Sequence, residues 1–405
     1  MHRLRVVRAV AVASLSLAGV AATSATAATT VPKLRTGPSG VSFYTPPAGS
    51  LHGSSHGGVI WERRQTGADA LKGAGRATLV LYRSIGVTGK AVAVSGSVTV
   101  PRGKAPKGGW PVVTWAHGTT GIADACAPTR SPASGKVADY TNYVYPQLKA
   151  LLARGYAVVR TDYEGLGTPG VHPYLVGRSE GRSVMDMVRA ARKVNPAIGR
   201  RVIVAGHSQG GHAALWATSI ARTWTPELKV AGTVAFAPAS HLSEQAALIR
   251  ALGSPGGGLS ALAASILRGI DVAGVGVDVP SLLSPAALAL YPQVDTLCQP
   301  ELGAASSFGG LAPKDILKAD VPLDPLVAAI DRTDDPENLK LRTPVLVEQG
   351  SADTTVFPSF NAQLVDELRA KGAKVDSRVL PGVTHGKVVK AGLKSALSWM
   401  AKRLK

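Results

Sequence analysis

Apolar and polar positions follow one another along most of the chain in a pattern that predicts strands and helices in turn. Residues 92–100 (VAVSGSVTV) alternate with a period of two, which is typical of a half-exposed strand. From residue 111 onward, short apolar runs are separated by longer segments with the spacing of amphipathic helices. Short apolar strands separated by helices predict a mainly parallel α/β sheet that helices cover on both faces. The predicted elements here are strand 111–116, helix 142–154, strand 157–161, helix 179–194, strand 202–205, helix 209–222 and strand 232–237.

This alternation of strands and helices stops near His241. It resumes with a predicted strand at 344–349, helix 359–371, strand 374–380 and helix 388–404. A structureless loop as long as 241–343 would be improbable, whereas a helical cap over an active site is a common use of such an insertion. We therefore expect a catalytic domain from residues 28–240 and 344–405, with a helical cap at 241–343. Its helical patterns cover 245–252, 259–267, 285–290 and 325–331, and glycine breaks (Gly253, Gly256, Gly257, Gly258) interrupt them.

The first residues have the pattern of a secretory signal peptide. Arg3, Arg5 and Arg8 precede an apolar run over 9–22, and the small residues 25–27 (ATA) follow as a cleavage site. The sequence therefore predicts a signal peptide at residues 1–27 and an extracellular protein. No later stretch reaches the roughly 20 apolar residues of a membrane-spanning helix, so no transmembrane segment is expected.

Composition adds three points to this picture. With 45% hydrophobic and 18% charged residues, the chain is expected to be globular, which excludes a mainly disordered or fibrous protein. Lys and Arg number 45 against 26 Asp and Glu, a net charge of +19. The basic residues are scattered without a run of five, which favours a diffuse basic surface and no nucleic-acid partner. Cys126 and Cys298 are the two cysteines, and export to an oxidising compartment predicts one disulfide.

Residues 206–211 (GHSQGG) follow the predicted strand 202–205 directly and open a helix. This is the G-x-S-x-G nucleophile elbow in its expected context of strand, tight turn and helix. The glycines on either side of Ser208 are needed because a side chain there would clash in the turn. Ser208 is the predicted nucleophile, and the alternative is a structural serine.

A serine nucleophile needs a general base and a carboxylate that orients this base, in the hydrolase order Ser, acid, His. His385 follows the last predicted strand and is favoured as the base over His241, which begins the insertion. Asp353 lies in the loop after strand 344–349 and is the predicted acid. Its competitors lie on the next helix or at the end of the insertion: Asp331, Asp334, Asp335, Asp366 and Glu367.

Two backbone N–H groups are expected to stabilise the oxyanion of the tetrahedral intermediate. One belongs to Gln209, the residue after the nucleophile, and the other to the loop after strand 111–116. Thr119 is the first choice there and Thr120 the alternative, while His117 is expected to fix this loop by hydrogen bonds. No metal-ligand spacing and no dinucleotide or phosphate loop occurs, so no metal and no cofactor are predicted.

Further motifs carry a resemblance to a known family. They are residues 43–47 (FYTPP), 124–128 (DACAP), 162–167 (DYEGLG) and 172–175 (HPYL), together with the elbow and the Asp353 and His385 loops. On these motifs the chain resembles the secretory lipase family, the lipase A type α/β-hydrolases of fungi and actinobacteria. The resemblance implies the α/β-hydrolase fold and hydrolysis of acylglycerols or other acyl esters. It also implies the triad Ser208, Asp353 and His385, a cap that binds the acyl chain, and the Cys126–Cys298 pairing.

Several interpretations remain open from the sequence. A serine peptidase of the same fold uses the same triad, and a fixed cap would leave a short-chain carboxylesterase instead of a lipase that opens at a lipid interface. A non-catalytic protein that adheres through its basic surface is a third class. A monomer is expected. Apolar residues of the insertion either line an acyl tunnel or form the core of the cap: Leu259, Leu262, Ile266, Leu267, Leu282, Leu283 and Leu288.

Overall fold

The computed structural model describes His2 and residues 34–404, except for residues 54, 68–69, 132–134, 136, 252 and 254–256. The predicted signal peptide at 1–27 lies outside the described residues, apart from His2. In the described ranges, no helix is both long enough and apolar enough to cross a membrane.

The described residues form a nine-stranded sheet with the order β1-β2-β3-β5-β4-β6-β7-β8-β9. The first three strands and β5 pair in antiparallel fashion, and β5, β4, β6, β7, β8 and β9 are parallel. The strands are β1 (Val59–Gln65), β2 (Arg76–Ile85), β3 (Ala91–Val100), β4 (Trp110–Ala116), β5 (Ala157–Thr161), β6 (Ile198–His207), β7 (Lys229–Phe236), β8 (Val345–Gly350) and β9 (Val375–Leu380).

Helices follow the strands as predicted, with shifted ends. Around the sheet they are α1 (Ala138–Asn142), α2 (Tyr145–Ala153), α3 (Gly177–Val194), α4 (Gln209–Trp224), α11 (Pro358–Ala370) and α12 (Val388–Ala401). Between β7 and β8 they are α5 (Leu242–Leu248), α6 (Gly258–Ala273), α7 (Val279–Leu282), α8 (Pro285–Leu290), α9 (Gln299–Leu302) and α10 (Asp324–Thr333).

The central parallel strands are mainly apolar because helices cover both faces of the sheet, whereas the edge strand β9 is exposed along most of its length. In β6, Val202 and Val204 pack into the core on the side of α3 and α4. Their neighbours Ile203 and Ala205 point to the opposite face and pack with α2 and α12. This alternation within one strand produces two cores and holds the central strands rigidly between them.

Three features of the α/β part differ from the sequence-based expectation. Strand β3 is buried along most of its length and is not half exposed, because the sheet continues on both of its sides. The sheet begins at Val59 and not near residue 92, because β1 and β2 form an antiparallel extension. Strand β1 contains Glu62, Arg63 and Arg64 and is only partly buried, so its composition concealed it. The helix predicted at 142–154 is two helices, α1 and α2.

The insertion at 241–343 has its own apolar cluster, which includes Leu267, Ile270, Phe308 and Ile330. Its described residues contain helices and short 3-10 turns, with one isolated bridge between Leu283 and Leu317 besides a bridge to Gly121. The two ends of the insertion are joined by hydrogen bonds, and we call this junction the neck (His241–Ser243 with Asp335–Glu337). In the neck, the Leu242 N–H donates to Asp335 Oδ1 over 2.7 Å. His241, the first residue of the insertion, donates its backbone N–H to Glu337 Oε1 over 3.0 Å.

Candidate active site

Ser208 occupies a sharp turn between β6 and α4. Its backbone φ is +59°, a value that L side chains adopt only under strain. A Cβ on Gly206 would lie 2.1 Å from the Gly210 carbonyl oxygen, and a Cβ on Gly210 would lie 2.0 Å from the Ala116 carbonyl oxygen. These distances show why the turn requires glycine at both positions. The turn therefore has the geometry of a nucleophile elbow.

Asp353 and His385 lie in the loops after β8 and β9 and contact each other. The Nδ1 of His385 is 2.7 Å from Asp353 Oδ2, and the other carboxylate oxygen accepts the Thr355 and Val356 N–H groups, both at 2.9 Å. Burial raises the pKa of Asp353, but the hydrogen bond and charge of His385 and these N–H groups lower it more, so the net pKa lies below its usual value. Asp353 is therefore ionised at neutral pH. Its carboxylate accepts a hydrogen bond from the protonated Nδ1 of His385, which leaves Nε2 of His385 as the basic nitrogen.

Two cavities meet at Ser208. One is an open cleft of about 660 Å³, which Ser208, His385 and Thr119 line together with Gln299 of the insertion. The other is an apolar pocket of about 130 Å³ beneath the insertion. Of the insertion residues considered from the sequence, Leu259, Leu262, Ile266 and Leu267 line this pocket, whereas Leu282, Leu283 and Leu288 are absent from its wall.

The predicted oxyanion donors lie on either side of this junction. Gln209 is the first residue of α4, where a backbone N–H has no partner within the helix. Thr119 lines the cleft, and its hydroxyl lies 2.6 Å from the Tyr174 hydroxyl. Thr120 is buried, and its carbonyl accepts the Gln299 N–H over 2.9 Å. Thr119 lines the cleft beside Ser208, whereas Thr120 is not among the residues that line it, so Thr119 stays the first candidate for the second donor.

His117 serves the loop and does not reach the cleft. Its Nδ1 is 2.7 Å from the Gly118 carbonyl oxygen and its Nε2 is 3.4 Å from that of Asp162. Burial lowers the pKa of His117 to about 4, so the ring is neutral. These contacts agree with the predicted role in fixing the loop.

A buried polar network behind the elbow was missed by sequence reasoning. The Gln209 side-chain amide donates to Glu180 Oε1 over 2.8 Å and to His172 Nε2 over 2.9 Å. Glu180 also contacts His212 Nδ1 at 3.0 Å, and all four side chains are buried. The available signal for this network was a charged residue, Glu180, on α3 and a histidine, His212, on α4, in helices whose other residues are largely buried. The network holds the residue whose N–H is the predicted oxyanion donor.

His207, the residue before the nucleophile, links the elbow to the loop of the base. Its Nε2 is 3.1 Å from the His385 carbonyl oxygen, and its Nδ1 contacts the Tyr143 hydroxyl. Burial, and secondarily the charge of His385, lowers the pKa of His207 well below its usual value. The neutral ring donates from Nε2 and accepts at Nδ1, and so it holds the backbone of His385 beside Ser208.

The structure joins Cys126 to Cys298 by a disulfide, which ties the loop after β4 to the insertion. Gly121 lies against this bond, where a Cβ would be 2.9 Å from both Cys126 Sγ and the Cys298 Cα. In the described part of the chain, no group of three or more His, Cys, Asp or Glu residues is arranged to hold a metal ion.

The sheet order, the elbow and the two following loops define the α/β-hydrolase fold. The structure of Candida antarctica lipase A in its closed state superposes with a TM-score of 0.75 at 21% identity, covering 89% of this chain and 85% of that chain. At this identity the likeness establishes the fold, and the predicted fold class is confirmed.

Sequence comparisons then give the family resemblance. The secretory lipase family model matches residues 132–272, and the prolyl oligopeptidase family model matches residues 326–405. Lipase A of Moesziomyces aphidis is 30% identical over 200 residues, which are 47% of this chain and 41% of that protein. A probable inactive lipase of Mycobacterium tuberculosis is 29% identical over 215 residues, 51% of this chain and 46% of that protein. The chain thus spans less than half the length of these curated relatives. The predicted resemblance to the secretory lipase family is confirmed.

Proposed function

We propose that the protein is a secreted serine hydrolase that cleaves carboxylic esters, with acylglycerols as its substrate class. One observation carries the proposal: Ser208 on its strained elbow and His385, which is bonded to Asp353, line the same cleft. This cleft lies at the carboxyl ends of the parallel strands, where α/β proteins bind their ligands. The match to the secretory lipase family supports both the chemistry and the export.

In this mechanism His385 Nε2 takes the proton of Ser208 as Oγ attacks the ester carbonyl carbon. The carbonyl oxygen becomes an oxyanion and accepts hydrogen bonds from the N–H groups of Gln209 and Thr119. The intermediate collapses when the protonated His385 donates to the departing alkoxide, so that the alcohol leaves and an acyl-enzyme remains. Water then attacks the acyl carbon with His385 again as the base, and this step releases the acid and restores Ser208. Asp353 stays ionised throughout and stabilises the imidazolium.

The two cavities divide the substrate between them. The pocket beneath the insertion is enclosed by aliphatic side chains such as Leu262 and Ile266, and we assign it to the acyl chain. The open cleft beside Thr119 and Gln299 has polar groups and room for the alcohol portion. This assignment makes the insertion the part that selects acyl length.

The test is hydrolysis of p-nitrophenyl esters of increasing acyl length by the wild type and by Ser208→Ala. The wild type is expected to hydrolyse the esters, and the variant to lose about 10⁵-fold or more of its turnover while its circular dichroism stays unchanged. A variant that keeps more than about a tenth of wild-type turnover would overturn the assignment of Ser208. This control matters because one relative is named as a probable inactive lipase.

A serine peptidase of the same fold is the second candidate, because the prolyl oligopeptidase family model matches residues 326–405. This match covers Asp353 and His385 but not the elbow with Ser208. An acid and a base of this kind serve ester and amide hydrolases alike, so the match does not distinguish the two activities. Hydrolysis of a peptide anilide at a rate comparable with the esters would favour the peptidase.

Lipase and carboxylesterase are distinguished at an interface. We expect activity on emulsified tributyrin and triolein that rises when the substrate exceeds its solubility, because an apolar surface exposed by the insertion is buried against acyl chains. Activity restricted to soluble short esters would instead assign a carboxylesterase.

A further inference from the structure

A groove far from Ser208 is lined by four basic side chains. It has a volume of about 650 Å³ and lies where α4 ends and where β7 and β8 begin. We call it the basic groove, and its cations are Arg222, Lys229, Lys340 and Arg342. Its remaining wall consists of small, hydroxyl-bearing or aliphatic residues, and no carboxylate contributes to it.

The four cations are exposed and have no counter-charge. Within the described ranges, none of their side chains takes part in a hydrogen bond or an ion pair. Some arginines elsewhere are paired, as Arg268 is with Asp295 at 2.8 Å, so the groove is distinguished by having four unpaired cations in one concave site. Glu227 is the carboxylate nearest in sequence to Lys229, but it is bonded to Arg189 through both of its oxygens. Like charges therefore converge in the groove without neutralisation, which favours the binding of an anion.

The groove is part of a longer row of cations. In the sheet, Arg201 of β6 is aligned with Lys229 of β7, and the carbonyl of Lys374 accepts the N–H of Val345 at the start of β8. Exposed cations thus stand at the amino ends of four adjacent parallel strands. Neighbouring strands lie about 4.8 Å apart, so the row extends for roughly 14 Å.

We propose that the basic groove binds a linear phosphate polymer and anchors the protein with its catalytic cleft facing away. A concave groove within a linear row of cations fits a linear polymer chain better than the flat surface of a bilayer. The exposed large apolar side chains that could enter a bilayer lie outside the groove: Val41, Tyr140, Leu248, Leu288, Phe357 and Val379. The wall also has no aromatic ring on which a nucleic-acid base could stack.

The cleft stays accessible when the groove is occupied. Strand β6 runs from Arg201 at the groove end to His207 beside the nucleophile, a distance of roughly 20 Å at about 3.3 Å per residue. Bound polymer is therefore expected to leave the hydrolysis of a soluble ester unchanged. This independence separates the proposal from the proposed catalytic function.

The test uses the full secreted protein and inorganic polyphosphate as the probe, with binding measured at several salt concentrations. The groove variant changes Arg222, Lys229, Lys340 and Arg342 to Gln. The matched control removes the same charge from exposed cations on other elements and changes Lys149, Arg178, Lys390 and Lys394 to Gln.

The groove variant is expected to bind at least about tenfold more weakly, and its slope of log K against log salt should fall by about 0.7 for each cation removed. The control should bind within about twofold of the wild type, and all three proteins should hydrolyse p-nitrophenyl butyrate equally. Equal losses in the groove and control variants would overturn the proposal in favour of diffuse attraction. Groove-dependent binding that is as tight to phosphatidylglycerol vesicles or to polyglutamate would also overturn it.

Discussion

The α/β part of the molecule and the helical insertion contribute to the site in different ways. In the α/β part, the predicted acid and base are held by polar partners: Asp353 contacts His385 and accepts two backbone N–H groups. The insertion contributes an apolar wall to the pocket and Gln299 to the cleft. Directional hydrogen bonds fix geometry, whereas apolar contacts set shape and volume. Under the proposed function, we therefore expect the rate to depend mainly on the α/β part and the acyl selectivity mainly on the insertion.

Asp353→Asn is expected to have the largest effect and tests the α/β side of the comparison. Loss of the carboxylate removes the partner of His385 Nδ1, so kcat should fall by about 10⁴-fold. Because the acyl pocket is unchanged, the ratio of rates between octanoate and acetate esters should stay constant. Asp366→Asn, on the exposed surface of α11, serves as control. A changed ratio in Asp353→Asn would mean that the two roles are not separate.

Removal of the disulfide tests how firmly the two regions are joined. Cys126→Ser with Cys298→Ser opens a loop with a sequence separation of 172 residues. The free energy of unfolding should fall by about 2–4 kcal/mol, mainly because the unfolded chain gains freedom. Guanidinium denaturation under non-reducing conditions measures this, and reduction of the wild type should give the same midpoint. Two free thiols in the denatured, non-reduced wild type would contradict the bond itself.

Ala263→Leu tests the insertion side. Ala263 lines the apolar pocket and not the open cleft, so the larger side chain should shorten the acyl site. We expect the ratio of octanoate to acetate hydrolysis to fall about tenfold, with acetate hydrolysis nearly unchanged. Ala286→Leu, at an exposed position of α8, should leave the ratio unaltered. An equal loss on both esters would remove the distinction between the two regions.

Glu337→Gln tests the neck and has the smallest expected effect. Burial, reinforced by the charge of Asp335, raises the pKa of Glu337 from 4.5 to about 8. Because the folded pKa is the higher one, Glu337 contributes stability that is complete below about pH 4.5 and is lost as the pH rises through about 8. The free energy of unfolding of the wild type should therefore decline more steeply from pH 5 to pH 9 than that of the variant, which has no carboxyl group to titrate at this position. Glu244→Gln, on the exposed face of α5, should show the wild-type decline.

The sequence predicted those features that depend on local patterns. Strands buried on both faces are continuous apolar runs, and the elbow has a glycine requirement that is visible in its own six residues. The contact between Glu180 and Gln209 could not be predicted, because a single sequence does not show which polar side chains are buried together. The basic groove was missed for a similar reason: Arg222 and Arg342 are far apart in the chain and only the sheet brings their segments together, so the cations appeared to be scattered.

The disulfide has a mechanical consequence for the entry of substrate. The neck and the Cys126–Cys298 bond are two anchors that hold the insertion to the α/β part, beside further contacts such as the close approach of Gly269 to the Tyr174 backbone. The insertion cannot rotate as one rigid body while both anchors hold. Any movement is restricted to the segments of chain between the two anchors. The segment from the neck to Cys298 contains α6, which lines both cavities. Gly257 and Gly274 flank this helix, and each has a positive φ. We therefore expect any widening of the entrance to involve α6, while the disulfide keeps Cys298 in place beside the loop after β4.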